Sequence, residues 1–315
     1  MKNMNDTKNS NHLDFIDVIY LAYGKPEYNV YAKIFFDSYK KHNAGFNHNL
    51  FIAAKSYEHN PTAYKELTEL AKENNAKTIE LPDDGMEFAA FYRAAKQCKS
   101  KYIFCINSRN IILKNGWLNF FAQAAINNES YKLIGSAGSW ENIFPNIFLK
   151  IFNKIFKRYP KQNAPELQLI KETVNLRIKA SRIKDAIFRP CFFPNFHIRT
   201  NNFLIDRQLY IEYIDKYGFP RNKYESCKIE SGHNSLTRFI LNRGFDIGVI
   251  GANSKLYKTH EWDKSETFRN SSSDNLIIGD HHCKHYLNCT KNVKIYLEKQ
   301  TWGYSATEQQ ENKCK

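Results

Sequence analysis

No stretch of the 315 residues approaches the roughly 18 consecutive apolar residues that a membrane-spanning helix requires. The first dozen residues are polar and unlike a secretion signal, so the expectation is a protein kept in the cytoplasm. Seven cysteines are scattered without regular spacing, which leaves reduced thiols rather than a disulfide framework as the reading. Glycine-rich phosphate loops of both common types are missing, as is the Gly-x-Ser-x-Gly elbow of serine hydrolases. Zinc-finger spacing, a glycine-aromatic RNA-binding signature and a helix-turn-helix are missing too, so nucleic acid is not an expected partner. There is no internal repeat and no long low-complexity linker.

What is present is a 42% hydrophobic, 15% aromatic chain with enough apolar material for one large core. Lys and Arg number 46 against 32 Asp and Glu, a formal charge of +14. Such a balance draws a protein toward anionic lipid or phosphorylated small molecules, or reflects a chain simply rich in Lys and Asn.

Apolar and β-branched runs at 15–23, 48–54, 77–81 and 102–106 read as strands. Helical spacing fills the intervals 30–41, 62–74 and 86–96, and a helix to about 127 and a strand at 132–137 follow. This alternation predicts an α/β fold with a mostly parallel sheet flanked by helices. Farther on, 197–206 reads as a strand, 207–215 as a helix, and 229–242 as a helix that Gly244 ends. A strand at 245–250 and a helix near 276–297 close the pattern. Three parts are expected: a disordered N-terminus at 1–13, one unit at 14–302 with a basic helical insertion at about 141–194, and a polar tail at 303–315.

Within that insertion, residues 147–159 gather Ile147, Phe148, Ile151, Phe152, Ile155, Phe156 and Tyr159 on one helical face, with Lys150, Lys154, Lys157 and Arg158 mostly off it. Such a helix can lie on an anionic membrane surface, or its apolar face can pack on the protein itself or on a second subunit. Ligands of open parallel sheets bind beyond the carboxyl ends of the strands, which directs attention to residues 24–27, 55–58, 83–87 and 107–110.

An ordered series of segments resembles the GT-A glycosyltransferases, more narrowly the family-two-like transferases of bacterial surface-polysaccharide gene sets. The series is VIYLAY opening the sheet, Asp84-Gly85 before Phe91-Tyr92-Arg93-Ala94-Ala95, and YIFCINSRNIIL with Gly116-Trp117-Leu118. It continues through PNFHIRTNNFLI and IESGHNSLTRFILNRGFDIGVIG to His260, Trp262 and Ser265, covering roughly residues 15 to 305. The resemblance implies a Rossmann-like GT-A fold that moves a hexose-type sugar from a nucleotide-diphosphate donor to a surface glycan or lipid-linked acceptor, with inversion; together with the segment 147–159 the expected place is the cytoplasm, at the inner face of the membrane.

The resemblance also implies site residues. Where the family carries an Asp-x-Asp metal pair, this chain has Asn107, Ser108 and Arg109. Asparagine offers a hard cation one weak carbonyl oxygen and arginine none, so a carboxylate-held Mg²⁺ or Mn²⁺ is not expected and no cofactor is assigned. Arg109 would instead clamp the diphosphate, with His260 also on the leaving-group side. Glu230 falls where the family places its base, and Glu230→Gln is expected to abolish transfer with the melting temperature nearly unchanged. Tyr23, Asp84, Arg93, Asn107 and Ser108 fall on the donor side. His197, Arg199 and Asn201, alternating along one strand, would line an acceptor cleft with His233. Each has a plainer reading: a helix-end charge for Glu230, an Asp-Gly turn for Asp84, an ion pair for Arg93 and Arg109, a structural imidazole for His260. The cluster Asp280-His281-His282-Cys283 with His285 and Cys289 matches no paired zinc spacing and reads as a helix start, so no metal site is assigned.

Overall fold

The computed structural model describes residues 13–142, 191–270 and 273–313. The expectations for residues 1–12, for the amphipathic segment 147–159 and for most of the insertion at 141–194 lie outside these residues.

β1 (Ile16–Tyr23), β2 (His48–Lys55), β3 (Lys77–Leu81) and β4 (Tyr102–Ile106) form where apolar, β-branched and aromatic residues are concentrated. α1 (Asn29–Lys41), α2 (Pro61–Glu73) and α3 (Met86–Ala95) connect them. α2 starts where Asn60 accepts the Ala63 N–H and Pro61 occupies the first turn, a position whose N–H would be unpaired in any case. Then follow β5 (Ile111–Ile112), α4 (Trp117–Asn127), β6 (Tyr131–Gly135), β7 (Gly138–Ser139), β8 (His197–Ile198) and β9 (Asn202–Asp206). The remaining elements are α5 (Arg207–Tyr217), α6 (Lys223–Ser231), α7 (Leu236–Asn242), β10 (Asp246–Ile250), β11 (Leu256–Tyr257), β12 (Ile278–Gly279), α8 (His281–Asn288), α9 (Lys291–Trp302) and α10 (Ala306–Lys313).

The central sheet has eight strands in the order β11-β10-β6-β9-β4-β1-β2-β3. β1 pairs in parallel with β2 and β4, β2 with β3, and β6 with β10, while β9 runs antiparallel to both of its neighbours. This is the mostly parallel, helix-flanked α/β sheet that the alternation of the sequence predicts.

Period-two alternation sends Ile19 and Leu21 to one face and Val18 and Tyr20 to the other, and each face has its own buried cluster. On one face Phe88, Phe91, Tyr210, Tyr213 and Phe239 cover the sheet. On the other, Tyr20 stacks on Phe35 with ring centroids 3.8 Å apart, and Phe104 meets Phe121 at 4.6 Å. Truncating a ring such as Phe104 to alanine would cost about 3–5 kcal/mol, because nothing adjacent can collapse into the space.

Three sequence expectations are corrected. The run 197–206 is two strands, because the main chain turns at 199–201, where the Asn201 carbonyl accepts from the Asn107 N–H and the Asn110 amide. The run 229–242 is two helices: α6 ends at Gly232, and Ser235 caps α7 by accepting the Arg238 N–H. Glu230 therefore lies in the last turn of a helix and does not open one. The run 276–297 divides into β12, α8 and α9, with Asp280 capping α8. The flanks of the insertion are tied together, since the Asn142 amide donates to the Cys191 carbonyl and the Asn195 N–H to the Trp140 carbonyl.

Candidate functional site

Parallel β1, β2 and β3 end side by side, and their last residues meet. The Tyr23 hydroxyl donates to Asp83 at 3.2 Å, the Ser56 hydroxyl donates to the same carboxylate at 3.0 Å, and the Lys55 ammonium lies 3.4 Å from it. Burial opposes ionisation of Asp83, but Ser56 and Lys55 outweigh it and hold the carboxyl below its usual range. Burial in turn pulls the Lys55 ammonium down. Gly24 makes this corner by close approach: a Cβ there would stand 2.3 Å from the Ser56 carbonyl oxygen.

Tyr23 continues the site toward Arg109. Its ring meets Tyr28 edge-on at 5.0 Å, and the Arg109 guanidinium lies 4.6 Å from the Tyr28 ring centroid while donating to its hydroxyl at 2.9 Å. Arg109 has no carboxylate partner among the described residues, and its Nε is buried without a hydrogen-bond acceptor. Flanking Asn107 and Ser108 are used structurally. The Asn107 carbonyl oxygen accepts the Ser108 N–H at 2.7 Å, and the buried Ser108 carbonyl accepts from Tyr20.

The second half of the site surrounds Glu230. Its Oε1 lies 3.2 Å from Arg199 and 3.9 Å from His197 Nε2, and its Oε2 accepts from the Thr200 hydroxyl at 3.2 Å. Burial works against the Glu230 charge, yet Arg199, with Lys223 and the Thr200 hydroxyl, more than compensates and holds the carboxyl below its usual range. His197 is fully enclosed, donates through Nδ1 to the Asn195 carbonyl at 2.8 Å, and is pushed down by burial to a neutral imidazole.

Lys223, at the start of α6, joins the halves. Its ammonium lies 3.7 Å from Glu87, whose carboxylate already accepts the Ser226 hydroxyl at 2.7 Å. Glu87 also bears on Lys55, and Lys223 on Glu230. His281, at the first turn of α8, is within electrostatic reach of Asp280, Arg109, Arg199 and Lys223, and burial pushes it down. Two ion pairs, Lys55 with Asp83 and Lys223 with Glu87, thus lie within electrostatic influence of each other and of Glu230, and His281 lies within that of Arg109.

Several residues named from the sequence are placed otherwise. Arg93 donates two hydrogen bonds to Asp84, one at 2.7 Å, so both are spent on an exposed ion pair. His260 is exposed on the 3-10 turn Thr259–Lys264, and His233 is exposed between α6 and α7; neither has a bond to Arg109 or Glu230. Asn201 donates to Asp280, whose carboxylate also feels the Arg199 charge.

The sequence reading did not single out Lys55, Ser56, Glu87, Thr200, Lys223 or His281 as site residues. Lys55, Ser56, Asp83 and Glu87 carried a signal, since all fall in the segments that follow strand ends. Lys223 and Thr200 carried none, because only tertiary packing brings them to Glu230.

A metal does not fit at Asn107-Ser108-Arg109: the one suitable oxygen is bonded to a backbone N–H, and a guanidinium adjoins it. Among the described residues no group of three or more His, Cys, Asp or Glu is arranged to hold one.

No protein-family profile and no curated protein sequence matches the chain. Among solved structures, it is similar to 4-diphosphocytidyl-2C-methyl-D-erythritol synthase of Anaerococcus prevotii at 11% identity, over 79% of this chain and 95% of that one, with a TM-score of 0.43. A mannosyltransferase of Pyrobaculum calidifontis, solved with GDP-mannose and Mn²⁺, matches at 9% identity over 92% of this chain and 71% of its own, with a TM-score of 0.43. Mouse xyloside xylosyltransferase 1 matches at 11% identity over 86% and 98%, with a TM-score of 0.41. At these values the likeness assigns no residue a role.

Proposed function

We propose that the chain is a glycosyltransferase that moves a hexose-type sugar from a nucleotide diphosphate to a surface glycan or lipid-linked acceptor, with inversion and with cationic side chains in place of a metal. One observation supports this reading: Arg109, a cation without a carboxylate partner among the described residues, lies within electrostatic influence of His281, as does Lys223, which in turn bears on the ionised Glu230.

In this reading the Asp83–Tyr23–Ser56 corner holds the nucleoside. The acceptor hydroxyl oxygen attacks the sugar C1 and forms the new glycosidic bond as the bond from C1 to the phosphate oxygen breaks. Glu230 takes the acceptor's proton, and the bonding electrons leave with the diphosphate. Arg109 through its fork and Lys223 as a point charge stabilise that departing charge. Backside attack inverts the anomeric centre.

The test is transfer by purified protein across a panel of nucleotide sugars with EDTA present. Turnover in EDTA supports the reading; no turnover with any donor or metal removes it. One observation favours a second reading, a silent nucleotide- or glycan-binding protein: Arg199 and Thr200 already engage Glu230, which lowers its proton affinity. Inner-face membrane attachment through residues 147–159 is proposed on the sequence pattern alone. Liposome flotation of Phe152→Glu tests it, and unchanged flotation removes it.

A further inference from the structure

On the face of the sheet opposite the helix that carries Glu230, a groove runs between α4 and the edge strand β11. It encloses about 250 Å³. That is below the roughly 300–1,000 Å³ of pockets for drug-sized ligands, and suits a single ring. Its floor is apolar: Phe120 and Leu256 pack there against the core. Leu256, which lines the groove, rests against a glycine of β10. A Cβ on Gly248 would stand 2.6 Å from Leu256 Cδ1 and 2.9 Å from the Tyr131 ring, so Leu256 lies down over the bare backbone.

The rim is made of amides. Asn119, Gln123 and Asn127 follow one stripe of α4 at i, i+4 spacing, Asn128 caps the helix end beside them, and Ser254 completes the rim. Asn119 and Gln123 are already oriented by a 3.3 Å bond from the Gln123 amide to the Asn119 oxygen, and Asn128 is held by its 3.0 Å bond to the Ala124 carbonyl. Each side-chain amide still offers both donors and acceptors. In a chain of net charge +14, no residue lining this groove is charged.

We infer that this groove binds a neutral sugar ring, a hexose or N-acetylhexosamine unit of a glycan, at a site separate from the charged edge. Neighbouring hydroxyls of a sugar are paired donors and acceptors, which amides match one for one. The C–H face of the ring suits the Phe120 and Leu256 floor, and a phosphate or carboxylate ligand would find no cation. The inference does not depend on transfer activity.

Saturation-transfer NMR on the full chain with methyl glycosides of glucose, galactose, mannose and N-acetylglucosamine tests it, with calorimetry for affinity. Saturation transfer to at least one glycoside is expected, unchanged by excess UDP or GDP. The exposed double variant Gln123→Ala/Asn127→Ala should weaken that binding about tenfold, as the loss of two hydrogen bonds implies, while its melting temperature stays put. No transfer to any of the four, equal affinity in the double variant, or displacement by UDP or GDP would each overturn the assignment.

Discussion

Arg199 and Glu230 stand 3.2 Å apart, and with side chains 9% and 12% exposed neither can turn to water for an alternative partner. The pair is both the electrostatic centre of the candidate site and part of what holds α6 to the turn before β9.

Glu230→Gln is expected to reduce sugar transfer at least about a hundredfold, the low end of what a general base contributes. It should also lower stability, by on the order of 3 kcal/mol, because it deprives the enclosed Arg199 charge of its nearest counter-ion. The sequence alone suggested an unchanged melting temperature; the enclosed pair reverses that expectation. Transfer assays and thermal melts on the same preparation check both effects, and full activity in the variant would remove Glu230 from the mechanism.

Arg109→Lys keeps the charge but loses the planar fork and the stacking on Tyr28. Donor KM should rise and kcat fall, together lowering kcat/KM by about a hundredfold. The melting temperature of the free protein should hardly move, whereas its rise on adding a nucleoside diphosphate should shrink. A variant that melts and binds like wild type would sever Arg109 from the ligand.

Asp83 and Asp84 are adjacent but differently employed. Asp83 joins the ends of three strands through Tyr23, Ser56 and Lys55, while Asp84 is engaged by Arg93 outside that corner. Asp83→Asn should therefore weaken nucleotide binding about tenfold or more and Asp84→Asn by less than twofold, read by calorimetry with UDP and GDP. The reverse order would place the nucleoside elsewhere.

Acid should destabilise the fold in two steps. The imidazole of His197 is held below its usual value, so the unfolded chain binds its proton first; stability is complete above about pH 6.5 and falls below it, by up to about 1.4 kcal/mol per pH unit. Glu230, also held low, contributes stability that is present above about pH 4.3 and lost as pH falls farther through its folded value. Urea titrations from pH 7.5 to 4 measure the slope, and a flat profile between pH 6.5 and 5 would contradict the neutral, enclosed His197.

The sheet was legible because its strands are apolar on both faces, which no amphipathic helix imitates; residues 16–23 and 102–106 could be little else. Legibility failed where a regular pattern crosses a break in the main chain. Residues 197–206 alternate like a strand, yet the Asn201 carbonyl is drawn to Asn107 and Asn110, and the chain turns. Likewise Ser235 restarts a helix inside a run that spacing alone reads as continuous. The site was half legible for a related reason. Positions after strand ends follow from topology, so the Asp83 and Arg109 regions could be found. The approach of Lys223, Thr200 and His281 to them depends on how α6 and α8 pack, and local sequence carries no trace of that.

The bond that ties Asn142 to Cys191, with Asn195 returning to Trp140, has a consequence for how this protein can be altered. Positions 142 and 191 are therefore neighbours in space, although 48 residues separate them in the sequence. A short flexible bridge can join the two positions, and the loop-closure entropy it alters varies slowly with length. Arg199 and Glu230, whose pairing lies wholly within the described body, should keep their 3.2 Å contact in such a shortened chain, which makes the bridge a way to study that body by itself.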